Sequence, residues 1–336
     1  MAHRRELVEV TQPRLLEEMF PYDLPPRIVF DSKVCEEIDG ELVEFAPKAL
    51  LTRDIRITDT TFRDGQQSLP PYTVEQTRRL FEFLVRLSGP NGVIRQTEFF
   101  LYTDKDRAAV EACREVGARF PEITGWIRAD VGDLVNVERL GLRETGILTS
   151  CSDYHIFYKL RKDRRQILDH YLGVVKAALD AGIRPRCHLE DVTRADIDGF
   201  VVPFCTKLAE LSESLPEHLK VKVRLCDTMG FGLSYPGVAL PRSVPKLVYR
   251  MTHDAGIPSD RLEWHGHNDF HKVHINAVTA WLYGVDAVNA TLFGIGERTG
   301  NPPLEGAIFE YVAIKGTLNG VDTHAITDLV NYYEHE

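Results

Sequence analysis

No Cys-x-x-Cys pair occurs among the six cysteines, Cys35, Cys113, Cys151, Cys187, Cys205 and Cys226, which are scattered singly along the chain. That spacing excludes a zinc ribbon and offers no disulfide framework, so the thiols are expected as small buried side chains. Long apolar runs are missing too, which excludes a membrane-spanning helix. The opening Met1-Ala2-His3-Arg4-Arg5-Glu6 has no apolar stretch of the signal-peptide kind, so the expected location is cytoplasmic, with no membrane partner. Basic charge is short: 40 Lys and Arg stand against 50 Asp and Glu, a net charge of −10. Nucleic acid and anionic membranes both reward a basic surface and are not expected partners. No low-complexity tract interrupts a composition that is 43% hydrophobic and 27% charged, which argues against disorder. Finally, no Gly-x-Gly-x-x-Gly turn follows Asp59, where an open doubly wound sheet binding a dinucleotide would carry one.

What the 336 residues do contain is an alternation. Short β-like runs at 54–59, 95–100, 123–127, 144–148, 184–189, 221–226, 261–267 and 287–292 are separated by amphipathic segments. Thr73 and Gln76 form a capping box before a helix over 74–87. Ile167, Leu168, Tyr171, Leu172, Val175, Ala178 and Leu179 share one helical face that stops at Gly182. About eight strands linked by helices suit an α/β protein, a (β/α)8 TIM barrel with an N-terminal extension. The expected division is an arm over 1–51, the barrel over 52–320, and a C-terminal helix over 321–336 that starts a further subdomain. In the arm, Phe20-Pro21-Tyr22-Asp23-Leu24-Pro25-Pro26 cannot be helical. It is expected to lie on the main domain or on a partner subunit of a homodimer or higher homo-oligomer, covering Phe20, Tyr22, Ile28, Val29 and Phe30.

Barrel chemistry belongs at the C-terminal ends of the strands. There the chain places Asp59-Thr60-Thr61-Phe62-Arg63-Asp64-Gly65-Gln66-Gln67, then Glu98, Ser152-Asp153-Tyr154-His155, His188-Leu189-Glu190-Asp191, Asp227-Thr228, His265-Gly266-His267 and the loop 294–303. Only the third strand offers nothing. His265 and His267, two apart on a strand, aim at one point. With Asp64 from the first strand they make a divalent-metal site of the zinc, manganese or magnesium kind. Arg63 beside it is a fixed cation able to stabilise an oxyanion or enolate, or else a rim salt bridge to Asp59 or Asp64.

These three motifs, Asp59 to Gln67, His265-Gly266-His267-Asn268-Asp269 and Gly296-Glu297-Arg298-Thr299-Gly300-Asn301, together resemble the metal-dependent barrel enzymes that include 2-isopropylmalate, homocitrate and citramalate synthases, Re-type citrate synthase and hydroxymethylglutaryl-CoA lyase. The resemblance implies that Asp64, His265 and His267 hold the metal, with Asn301 as a ligand or close behind one. It implies that Arg63 is catalytic, that Gln67 and Thr228 contact a 2-oxo acid, and that Glu190, His155 and Glu297 line the site. Glu98 is expected on the substrate side with them. Acetyl-CoA is the implied co-substrate; the three glycines of the loop 294–303 let its backbone approach the thioester end or pantetheine arm of CoA, with Glu297 and Arg298 expected to fix its shape. The expected reaction is Claisen condensation with release of CoA. Ser152-Asp153-Tyr154-His155 and Lys159 are similar to the isopropylmalate and citramalate branch, which makes a 2-isopropylmalate synthase-like activity the first expectation. Homocitrate, citramalate or Re-citrate synthesis, a lyase or aldolase, or an impaired binding barrel are the alternatives. Phe62-Arg63-Asp64 is also similar to biotin-dependent carboxyltransferase domains, but the lysine they need on the barrel has no strong counterpart here. Three departures stand out: Phe62 replaces the family's usual leucine, Phe99-Phe100 stands where a glycine is common, which suggests a narrower acceptor pocket, and the chain stops at Glu336 where the synthases continue into a subdomain with a further histidine for proton transfer.

Overall fold

The computed structural model describes residues 7–335. The opening Met1-Ala2-His3-Arg4-Arg5-Glu6 and the final Glu336 of the expected C-terminal helix range lie outside the described residues. A two-stranded hairpin comes first, β1 Val34–Ile38 and β2 Glu41–Phe45, paired antiparallel from Val34↔Phe45 to Ile38↔Glu41. Its turn is Asp39-Gly40, both at positive φ (54° and 82°), the two-residue connection whose twist matches the strands. This hairpin was not expected.

The barrel follows: β3 Arg56–Asp59, α1 Val74–Ser88, β4 Ile94–Phe100, α2 Asp104–Glu115, β5 Glu122–Arg128, α3 Leu134–Arg139, β6 Glu144–Ser150, α4 Arg164–Asp180, β7 Arg184–Glu190, α5 Val202–Glu213, β8 Lys222–Asp227, α6 Val244–Tyr249, β9 Leu262–Gly266, α7 Val273–Tyr283, β10 Ala287–Ala290, α8 Leu304–Lys315 and α9 His324–His335. β3 through β10 form a closed parallel barrel, sealed by β10 against β3 from Ala287↔Arg56 to Ala290↔Asp59. Each expected strand is present, and the expected α1 carries its capping box, with Gln76 Oε1 accepting from Thr73 N (2.9 Å) and Thr73 Oγ1 from Gln76 N (3.2 Å). α9 packs back on α1 through Arg86, which pairs with Asp322 (2.8 Å) and Asp328 (2.7 Å).

Strand parity divides the barrel into two chemistries. Outward positions such as Ile57, Phe99, Ile147, Leu189, Leu225 and Trp264 are buried against the helices. The inward positions of the lower barrel are charged: Glu98, Glu144, Arg186, Arg224 and Glu263 are all buried. Arg224 pairs with Glu98 (3.0 Å) and Glu263 (2.8 Å), and Arg186 with Glu98 (3.0 Å). Buried charges persist only when paired and hydrogen-bonded, and this ionic floor is what carries the site above it.

The arm is less covered than expected. Phe20, Tyr22 and Val29 are 54%, 89% and 44% exposed, while Ile28 and Phe30 are half-buried. Its anchor is local: Ile28 N donates to Ala313 O (3.0 Å) on α8, the Arg27 guanidinium lies against Gly316, and Leu24 packs on the core, while Phe20 and Tyr22 stay exposed. The second departure also reads differently in space. Phe99 faces away from the pocket and stacks on Phe62 (centroids 4.7 Å apart), whereas Phe100, on the inward parity, meets Trp126 edge-on (5.5 Å).

Candidate metal centre and active-site rim

Asp64 sits one turn beyond β3, fully buried, and its Oδ2 is the point on which the site converges. His265 Nε2 is 3.3 Å from it and His267 Nε2 3.1 Å. Asn301 Nδ2 donates to the same oxygen (3.0 Å) and to Gly266 O (3.2 Å). Gln67 Nε2 donates to the other oxygen, Oδ1 (2.7 Å).

The proton on each imidazole follows from its far side. Asn289 Nδ2 donates to Thr58 Oγ1 (2.8 Å), so its Oδ1 is what faces His265 Nδ1 (2.8 Å) and must accept. Thr228 O can only accept, so His267 Nδ1 donates to it (2.7 Å). Arg298 Nη2 donates to that same carbonyl (2.5 Å). Both rings therefore turn an Nε2 lone pair toward a carboxylate oxygen, an arrangement that requires positive charge between them. A proton partly serves: burial would lower the His267 pKa, but Asp64 raises it. His265 does not share in this, since burial, with His267 and Arg63 beside it, outweighs Asp64 and pushes it down to about 3. Asp64 itself is held well below the usual carboxylate range, the Arg63, His267 and His265 charges overcoming its burial.

A divalent cation fits these residues. The three candidate ligand atoms lie within 4.8 Å of one another. Asn301 Oδ1 is buried with no hydrogen-bond partner among the described residues while Nδ2 faces Asp64, so turning the amide over would bring a fourth ligand atom of the right kind to the centre. Two imidazoles, a carboxylate and an amide oxygen suit zinc or manganese better than magnesium. The glycines of the loop 294–303 leave room for Asn301: a Cβ at Gly296 would fall 1.7 Å from Asn301 Oδ1, and Gly300, at φ +96°, lies against the Gly294 carbonyl.

Arg63 is fixed beside this centre. Its Nε donates to Glu98 Oε1 (3.1 Å), its Nη1 is 3.5 Å from Asp64 Oδ1, and its guanidinium lies 5.7 Å from the Trp126 ring centroid. Asp59 takes no part, being occupied by Thr61 (2.6 Å) and Thr97 (2.5 Å). Glu98 is placed below the rim, 1% exposed; against the burial that would raise its pKa, Arg224, His188 and Arg63 hold it well below the usual range. With Arg63, Arg186 and Arg224 all on its two oxygens, it has no free face for a substrate.

A second cluster ends β6 and β7. Glu190 Oε2 accepts from His155 Nδ1 (3.0 Å) and from Ser150, and Lys159 Nζ is 3.2 Å from it. Burial would raise the Glu190 pKa, yet His155, Ser150 and Lys159 bring it to about 2. Asp191 N donates to Thr228 Oγ1 (2.8 Å), joining this cluster to the carbonyl that orients His267. Glu297 Oε2 is 4.0 Å from His267 Nε2, and Arg298 pairs with Asp269 (2.8 Å) and Glu297 (2.8 Å) at the outer edge. Sequence reasoning missed Asn289 and Trp126. The signals were an amide inside the apolar run Ala287-Val288-Asn289-Ala290, and an indole on the inward parity of the one strand that had offered nothing.

The HMGL-like family model matches residues 54–332. The chain belongs to the HMGL-like family. Among family relatives, a citrate (Re)-synthase of Syntrophus aciditrophicus is 55% identical over 333 residues, 99% of this chain and 51% of that protein. One from Clostridium kluyveri is 50% identical over 331 residues, 98% of this chain and 70% of that protein. A 2-isopropylmalate synthase 2 of Caldanaerobacter subterraneus is 27% identical over 285 residues, covering 83% and 67% of the two. The HMGL-like barrel thus spans about half the length of the first of these relatives. Among solved structures, the Bacillus subtilis HMG-CoA lyase superposes with a TM-score of 0.64 at 19% identity, covering 84% of this chain and 93% of that one, which supports the fold alone. No helix among the described residues is long and apolar enough to cross a membrane.

Proposed function

We propose that this barrel condenses the acetyl group of acetyl-CoA with a 2-oxo acid and releases CoA, and that the acceptor is oxaloacetate, giving citrate. The observation that carries this reading is the Asp64, His265, His267 and Asn301 centre with Arg63 fixed beside it, in a chain aligned nearly end to end at 55% identity with a citrate (Re)-synthase. The isopropylmalate branch, the first expectation from the loop after β6, has weaker support from its distant relative.

When bound at these residues, a divalent cation supplies Lewis-acid polarisation of the acceptor's keto group. The chain's own groups supply the rest. Arg63 keeps Nη2 unpaired among the described residues while Glu98 and Asp64 hold its other nitrogens. That leaves one preorganised donor for the alkoxide that develops as the carbon–carbon bond forms. Gln67 and Thr228 stand beside the centre as contacts for the oxo acid. Glu190 stays ionised and orients His155, which takes the methyl proton of the acetyl group. Thioester hydrolysis then drives the sequence forward.

Thiol release from acetyl-CoA, measured in metal-supplemented protein with oxaloacetate, pyruvate, 2-oxoisovalerate and 2-oxoglutarate in turn, tests the reading. Oxaloacetate should give the highest kcat/KM. A preference for 2-oxoisovalerate would return the chain to the isopropylmalate branch, and no thiol with any acceptor would remove the synthase reading.

A further inference from the structure

The opposite end of the barrel carries a feature that this chemistry does not use. A cavity of about 470 Å³ opens at the N-terminal ends of β5, β6 and β7, lined by Arg114, Arg119, Arg143 and Arg184 against two carboxylates, Glu122 and Glu144. The size lies within the range of small-molecule sites, roughly 300–1,000 Å³. The acids do not balance the bases. Glu144 is already met by Lys222 Nζ (2.9 Å) and Arg186 Nη1 (3.5 Å), and these with Arg184 bring its pKa to about 2 against the burial that would raise it. Glu122 accepts from the Gln96 amide (3.2 Å).

Three of the four arginines are free of acid among the described residues. Arg114 pairs with Glu111 (2.8 Å). Arg184 spends only Nε, on Lys220 O (2.7 Å). Arg119 lies over the Phe120 ring (4.9 Å). Neither Arg119, Arg143 nor Arg184 has a carboxylate within ion-pair distance among the described residues. A chain with a net charge of −10 has ample acid to pair three guanidinium groups that share one concavity, and it leaves them unpaired. Guanidinium forks matched to planar or tetrahedral oxyanions are the usual reason for such a cluster.

We propose that this N-terminal cavity binds a small polyanion, a compound with two or more closely spaced phosphate or carboxylate groups, at a site separate from the catalytic rim. Arg143 and Arg184, side by side where β6 and β7 begin, supply the central contacts, and Arg119 closes the cavity from the segment after α2.

Calorimetric titration of the intact chain at low ionic strength tests this, with inorganic pyrophosphate in one arm and citrate in the other. Each is run on the parent, on Arg143→Glu, on Arg119→Glu and on Asp64→Asn. Arg143 and Arg119 are exposed and unpaired with acid, so reversing either charge leaves the fold intact. The expected result is that at least one anion binds the parent, binds each arginine variant at least about tenfold more weakly, and binds Asp64→Asn as it binds the parent. Which arm responds assigns the ligand to phosphate or carboxylate chemistry. Titrations in which neither anion binds, or in which binding is indifferent to both arginine reversals, would overturn the proposal.

Discussion

Replacing Glu98 by Gln removes one negative charge from the middle of the barrel while keeping the side chain's shape. Three guanidinium groups lose their shared partner, unequally. Arg224 keeps Glu263 at 2.8 Å, and Arg186 keeps Glu144 at 3.5 Å and Glu263 at 3.4 Å. Arg63 is left with Asp64 alone, at 3.5 Å. The glutamine also places an NH2 among guanidinium groups that only donate, with His188 Nε2, 3.3 Å from the Glu98 carboxylate, as the acceptor within reach. Removing one partner of a buried ion pair costs about 3–5 kcal/mol, and with the remaining acids near Arg186 and Arg224 the lower half of that range is expected. Equilibrium denaturation would read this loss directly. Metal content, measured in the same preparation, should stay stoichiometric, because Glu98 touches none of the Asp64, His265, His267 and Asn301 atoms. Turnover in the thiol-release assay should fall with KM little changed, since what is lost is the anchoring of Arg63. A variant with parental stability and a raised KM would mean that Glu98 meets the substrate, and the account of the ionic floor would be wrong.

His267→Ala should lose stoichiometric metal by elemental analysis while keeping the far-ultraviolet dichroism of the barrel; metal retained at parental affinity would remove this residue from the centre. Acid stability follows from the depressed carboxyls. Lys222, Arg186 and Arg184 hold Glu144, and Arg224 with Arg186 holds Glu263, at about 2 against burial, from an ordinary 4.5. Their contribution is complete above pH about 4.5 and is lost as pH falls through about 2, on the order of 3 kcal/mol for each group. Unfolding free energy followed from pH 6 to pH 2 should therefore drop steeply below about 4.5, and a flat profile there would contradict the pairing.

The barrel was legible because its strands announce themselves by an outward apolar parity, as in Lys222-Val223-Arg224-Leu225, where Val223 and Leu225 face the helices. That pattern hides what lies on the other face. Polar residues inside a strand invite assignment to solvent or to the rim, which is how Glu98 came to be expected among the substrate contacts, and why the Glu98–Arg224–Glu263 floor went unseen. The pair His265 and His267 could be read because residues two apart must share a direction. Their partners Asn289 and Thr228 O could not, the one being a lone amide on a distant strand and the other a backbone atom. The hairpin at Asp39-Gly40 had a readable turn but lay in a stretch taken for an extended arm. Branch was the hardest reading. The loop after β6 places Tyr154 and Tyr158 in solvent, at 57% and 80% exposure, so its residues say little about what the acceptor touches.

Phe62 and Phe99 look, position by position, like two independent departures from the pattern of related barrels. Stacked at 4.7 Å between sheet and helices, they make one contact shared by two distant positions of the chain. Anyone grafting this rim onto another barrel, or restoring leucine at 62 in this one, would have to move both residues together. A lone Phe62→Leu change would leave Phe99 facing a void behind the very strand end that carries Arg63 and Asp64, and should loosen the anchoring of both.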